Sequence, residues 1–137
     1  MEKSEVENSA AERRFARRYE TKDILVYARY LKKLNWFRPF HGPYILDDIA
    51  ISSIRFDCYK NFLARSLVEI KLISKNLSSG LKVKGRIIGK KADLFDKKYE
   101  YVVQFNPYGK GLKYNSYLNK EKLEKFFASI ELKEKDL

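Results

Sequence analysis

The segment RSLVEIKLIS (65–74) alternates without interruption, placing Leu67, Glu69 and Lys71 on one side of an extended chain and Val68, Ile70 and Leu72 on the other. A period of two with one apolar side reads as a strand that buries one face and wets the other. DILVYARYLKK (23–33) repeats the pattern, with Ile24, Val26, Ala28 and Tyr30 set against Leu25, Tyr27 and Arg29. YILDDIAISSIRFDCY (44–59) reads as two strand-like runs about a short turn at Ala50 to Ser53. The turn KNLSSG is followed by LKVKGRIIG (81–89), a polar hairpin tip KKADLFDKK, and the strand YEYVVQF (99–105). About six short strands at this spacing predict a barrel or a sandwich. Gly85 inside a strand predicts a bulge or sharp bend, and LNWFRPFHGPY (34–44), with two prolines and a glycine, predicts an aromatic-rich connection.

The period changes in NKEKLEKFFASIELKEK (119–135), where Leu123, Phe126, Phe127 and Ile130 recur at helical spacing and Asn119 is a suitable N-cap. The stripe is expected to pack on the β core or on a second subunit. The chain therefore reads as all-β with a terminal helix. A single domain is expected over 12–132, with a disordered tail at 1–11 and a frayed one at 133–137. A length of 137 residues with 45% hydrophobic content can fill one core.

Several function classes are excluded at this level. No apolar run is long enough to span a bilayer and the N-terminus lacks the apolar stretch of a signal peptide, so no membrane insertion and a cytoplasmic location are expected. Cys58 and His41 are the only cysteine and histidine, too few for an internal disulfide or a Cys/His zinc site. His41 has no nucleophile arranged beside it, and Asp47 and Asp48, as neighbours in a strand, are expected on opposite faces unless the strand breaks there. No phosphate-cradling glycine loop is present. Binding is favoured over turnover, and no enzyme activity or cofactor is expected. The net charge of +11 points to a polyanionic or phosphate-bearing partner.

AERRFARRYE (11–20) concentrates four arginines, Arg13, Arg14, Arg17 and Arg18, in a chain otherwise dominated by lysine. In an extended or gently arched segment Arg13 with Arg17, or Arg14 with Arg18, reaches one ligand from the same side. Guanidinium forks match phosphate oxygens and their flat faces stack on purines, so a ligand with both phosphate and aromatic base suits them. A short helix capped at Ser9, its arginines merely solvated, is the alternative.

RRFAR (13–17), then DDIAISSIRF (47–56), then YEYVVQF before a terminal helix resembles the PilZ domain in order and spacing. The resemblance covers roughly residues 12–130. It implies a six-stranded antiparallel β-barrel with a C-terminal helix, and a receptor for the bacterial second messenger cyclic di-GMP. Arg13 and Arg17, or Arg14 and Arg18, would grip phosphates and stack on guanine, and Asp48 would accept hydrogen bonds from a guanine edge. Binding would order the arginine arm and change contacts with a downstream protein partner; a homo-oligomer is possible in this scheme. Ala50 stands where the family has serine and Ser53 where it has glycine. The lost hydroxyl removes about 0.5–1.5 kcal/mol, and serine at a positive-φ position costs about 1–2 kcal/mol. Together they weaken binding roughly 30- to 150-fold. The alternatives are a PilZ-like adaptor that no longer binds cyclic di-GMP, and a small basic barrel binding RNA or single-stranded DNA through lysines and stacked tyrosines.

Overall fold

The computed structural model describes residues 18–32, 38–74, 80–129 and 133–134. Within them the elements run β1 (Tyr19–Glu20), β2 (Ile24–Tyr30), β3 (His41–Ala50), β4 (Ser53–Cys58), β5 (Leu67–Ser74), β6 (Gly80–Asp93), β7 (Lys98–Phe105), α1 (Tyr117–Ser129) and β8 (Lys133–Glu134). Neighbouring strands pair in the order β2-β5-β6-β7-β4-β3, and β3 returns to β2 through Val26↔Tyr44 and Ala28↔His41. Six antiparallel strands thus close a barrel, the one of the two architectures left open by the strand count that the resemblance implied. Closure leaves the ring without an exposed edge. Val26, Ile54, Ile70, Val83, Ile87 and Val103 face the interior and are buried, while the residues between them face out.

Each barrel end is closed by a different device. At the end where β4 finishes and β5 begins, Phe62 is buried with its ring 5.0 Å from Tyr30 and 5.8 Å from Tyr101. Two tyrosine hydroxyls pin that loop: Tyr101 receives the Phe62 N–H at 2.8 Å and donates to the Lys60 carbonyl at 2.7 Å, and Tyr30 receives the Leu63 N–H at 2.8 Å.

At the opposite end β7 stops at Phe105, opposite Gly85, whereas β6 extends back to Gly80. The backbone this leaves over is taken by three asparagines. Asn106 N–H donates to the Lys84 carbonyl at 2.9 Å, Asn115 accepts from Lys84 N–H at 2.7 Å and donates to its carbonyl at 2.9 Å, and the Asn119 amide reaches the Lys82 carbonyl at 3.0 Å. Buried polar backbone must find such partners. The asparagines therefore fix where α1 sits, with Leu123 and Phe126 buried and Phe127 half-buried against the core.

Several expectations need correction. Asn119 lies inside the helix, and Ser116 is the cap, its hydroxyl accepting Asn119 N–H at 3.2 Å; Ile130 lies outside the described residues. Lys133–Glu134, in the segment expected to fray, pairs with Tyr19 and Glu20. The connection predicted over 34–44 ends earlier, because β3 already begins at His41. The strands of the β6–β7 hairpin extend to the Asp93↔Lys98 pair and claim most of the segment read as a polar tip. Gly85 marks a close approach and not a bulge: a Cβ there would lie 2.5 Å from Val103 Cγ1 and 2.7 Å from the Gln104 carbonyl oxygen. The register slips instead between Ile87 and Gly89.

Burial of titratable groups makes alkaline pH destabilising. Cys58 is 1% exposed and its thiol, which donates to the Lys60 carbonyl at 3.3 Å, is pushed by burial from 9.0 up to about 11. Burial likewise raises Tyr101 to about 12. With the folded value above the unfolded one, the native state holds more protons between the two, so stability is full below pH 9 and is lost as pH rises through about 11. Urea melts at pH 8 and near 11 should differ by about 2–3 kcal/mol from Cys58. Cys58→Ala should remove that part of the loss, and an unchanged difference would show that the thiol does not carry it.

Candidate functional site

The corner between β3 and β4 gathers the residues that the sequence places far apart. Leu46 lies opposite Phe56 and Asp48 opposite Arg55, so β3 carries one extra residue, Asp47. A bulge interrupts alternation, and Asp47 and Asp48 consequently share the outer face. This corrects the expectation of opposite faces. Asp47 joins Asp57 and Glu100, carboxylate oxygens of all three falling within 4.8 Å of one another. Lys98 stands 3.4 Å from Asp57 and Arg55 stands 3.8 Å from Glu100, so cations balance this cluster.

Asp48 is turned to a different partner. The pairing of Tyr19 with Ile49 lays the start of β1 along β3 and brings Arg18 over the wall. Its Nε donates to Asp48 Oδ1 and its Nη1 donates to Ser53 Oγ at 2.6 Å. Asp48 is 1% exposed and the Arg18 side chain 20%. Nη2 of Arg18 is buried and has no hydrogen-bond partner among the described residues. Arginine suits the position because its fork serves two acceptors at once, which a lysine ammonium does less specifically.

Of the residues singled out in the sequence, Arg18, Asp48 and Ser53 therefore meet, and Ala50 lies fully buried beside them, opposite Ser53 in the ladder. Arg13, Arg14 and Arg17 lie outside the described residues. Ser53 plays a part that its place in a motif did not foretell: its hydroxyl is a ligand of the guanidinium. Nor does the turn need a glycine there, since the described non-glycine residues with positive φ are Arg65 and Lys97. The backbone cost expected for serine in place of glycine does not arise.

Next to this corner, the turn residues Ile51 and Ser52, the chain from Phe105 to Tyr108 and Leu123 of α1 line an open cleft of about 370 Å³. Arg18 and Asp48 are not among its walls. His41 sits at the other barrel end, its imidazole lowered from 6.5 by partial burial and by the charge of Lys60. No family model matches the chain, and no curated protein or solved structure is significantly similar to it.

Proposed function

We propose that the protein is a PilZ-type receptor that binds cyclic di-GMP and acts through altered contacts, without chemical turnover. The observation that supports this reading is the clasp of Arg18 on Asp48 and Ser53, which joins the arginine-rich segment to the β3–β4 corner across 30 residues of sequence. Arg18 holds the carboxylate and the Ser53 hydroxyl and so anchors the arm at the corner. Arg13, Arg14 and Arg17, just upstream, supply cations for the two phosphates. The arm has a mechanical outlet, because β1 lies between β3 and β8 and so connects the corner with the segment beyond α1. A ligand that favours one placement of the arm shifts the population of that arrangement.

Titration calorimetry with cyclic di-GMP tests the reading. Heat saturating at one site, with affinity only weakly dependent on salt because two phosphates are neutralised, is expected. Absence of heat at high micromolar dinucleotide, in protein shown to be folded, would sink it. The adaptor reading would then stand, and the near-complete burial of Asp48 beneath Arg18 favours it as the second choice: the clasp would be a structural lock, and partner contacts would persist without nucleotide.

A further inference from the structure

On the far side of β2 from the Arg18 corner, the outward positions of three adjacent strands carry Tyr27 and Arg29 on β2, Glu69 and Lys71 on β5, and Lys82, Lys84 and Arg86 on β6. The ladder sets Lys71 directly opposite Lys82. Like charges in direct opposition weaken a sheet, so this pair calls for an explanation. Part of it is Phe40, whose ring collects the Arg29 guanidinium at 4.0 Å, the Lys71 ammonium at 5.6 Å and that of Lys82 at 5.8 Å. The ring gathers cations without neutralising them. Glu69, the one carboxylate at these outward positions, lies opposite Lys84 in the ladder but is turned to Arg29, which holds it with hydrogen bonds of 2.9 and 2.6 Å. Lys71, Lys82, Lys84 and Arg86 have no ion-pair partner among the described residues.

We propose that this wall is a second anion-binding surface and that it takes the phosphodiester backbone of a single-stranded nucleic acid. Lys82, Lys84 and Arg86 alternate along one strand, which spaces them about 6.6 Å apart in a straight row. A row of evenly spaced cations matches a chain of evenly repeated phosphates. An acidic peptide fits less well, because the ring is closed and offers no free strand edge for main-chain pairing. The wall reads charge and not base. Arg29 already covers Phe40, so sequence preference should be slight.

The test uses the full chain and a fluorescein-labelled oligouridylate of about a dozen nucleotides, followed by anisotropy. Neutralising four phosphates on a single strand gives a slope of about −3 in log affinity against log salt, or roughly a 50-fold weakening between about 50 and 200 mM. Lys71→Glu with Lys82→Glu should lower affinity at least about tenfold and reduce the slope by about 1.4. Lys84→Gln with Arg86→Gln, which adds no new charge, should act in the same direction, and circular dichroism establishes that each variant is folded. The proposal is overturned by lack of binding at low salt, by folded variants that bind as the parent does, or by polyglutamate of equal length competing as well as the oligonucleotide. Displacement of the oligonucleotide by cyclic di-GMP would also overturn it as a separate site; failure of the dinucleotide to bind at all would leave it standing.

Discussion

Arg18→Ala should lower the unfolding free energy by about 2–4 kcal/mol, read as a shift of the urea midpoint with an unchanged m-value. The reason is asymmetric burial. Asp48, at 1% exposure, cannot recover water when the guanidinium is removed, whereas Arg18, at 20%, retains some. At an effective dielectric near 20 the attraction between such charges is about 4 kcal/mol, and the partial exposure of Arg18 reduces it. Asp48→Asn supplies the other arm of a double-mutant cycle, and a coupling of about 2 kcal/mol is expected. Additive losses would mean the two residues do not act as a pair.

The same substitution bears on function. If the clasp anchors the arginine arm that grips the nucleotide, Arg18→Ala should weaken cyclic di-GMP binding by about 100-fold or more, equivalent to about 2.7 kcal/mol. Arg18→Lys should restore part of the stability and little of the affinity, since an ammonium keeps the charge but loses the planar fork that serves Asp48 and Ser53 together. Affinity equal to the parent in both variants would place the nucleotide elsewhere.

Phe62→Ala is expected to cost about 3–5 kcal/mol, the range for deleting a buried aromatic ring whose surroundings relax only in part. Phe62 is 1% exposed and meets Tyr30 and Tyr101 edge-on, so its removal leaves a cavity beneath a loop that two tyrosine hydroxyls hold in place. Melting with a calorimetric check on two-state behaviour measures the loss. Because Phe62 closes the barrel end away from Arg18, the coupling between Arg18 and Asp48 should be unchanged in the protein that remains folded. A loss below about 1 kcal/mol would show that the loop collapses onto the gap.

Period-two alternation made β2, β4, β5 and β7 legible to within a few residues, since a strand that buries one face must repeat every second residue. The stripe of Leu123 and Phe126 marked the helix for the same kind of reason. Placement of the helix was hidden, because it depends on unpaired β6 backbone that Asn106, Asn115 and Asn119 capture, and nothing local in a sequence shows where one strand outlasts its neighbour. Gly85 was noticed, but the cause, close passage of Val103 and Gln104, belongs to a strand about twenty residues away.

The sequence by itself determined the all-β character, the number of barrel strands, the terminal helix and the excess of cations, because periodicity and charge are local properties. Tertiary structure alone decided that Asp47 and Asp48 share a face, that Ser53 serves Arg18, and that Lys71 meets Lys82 around Phe40. The extra residue in β3, the docking of β1 on β3 and the register of the β5–β6 hairpin set those neighbours. All three act through pairing across strands, which linear spacing does not encode.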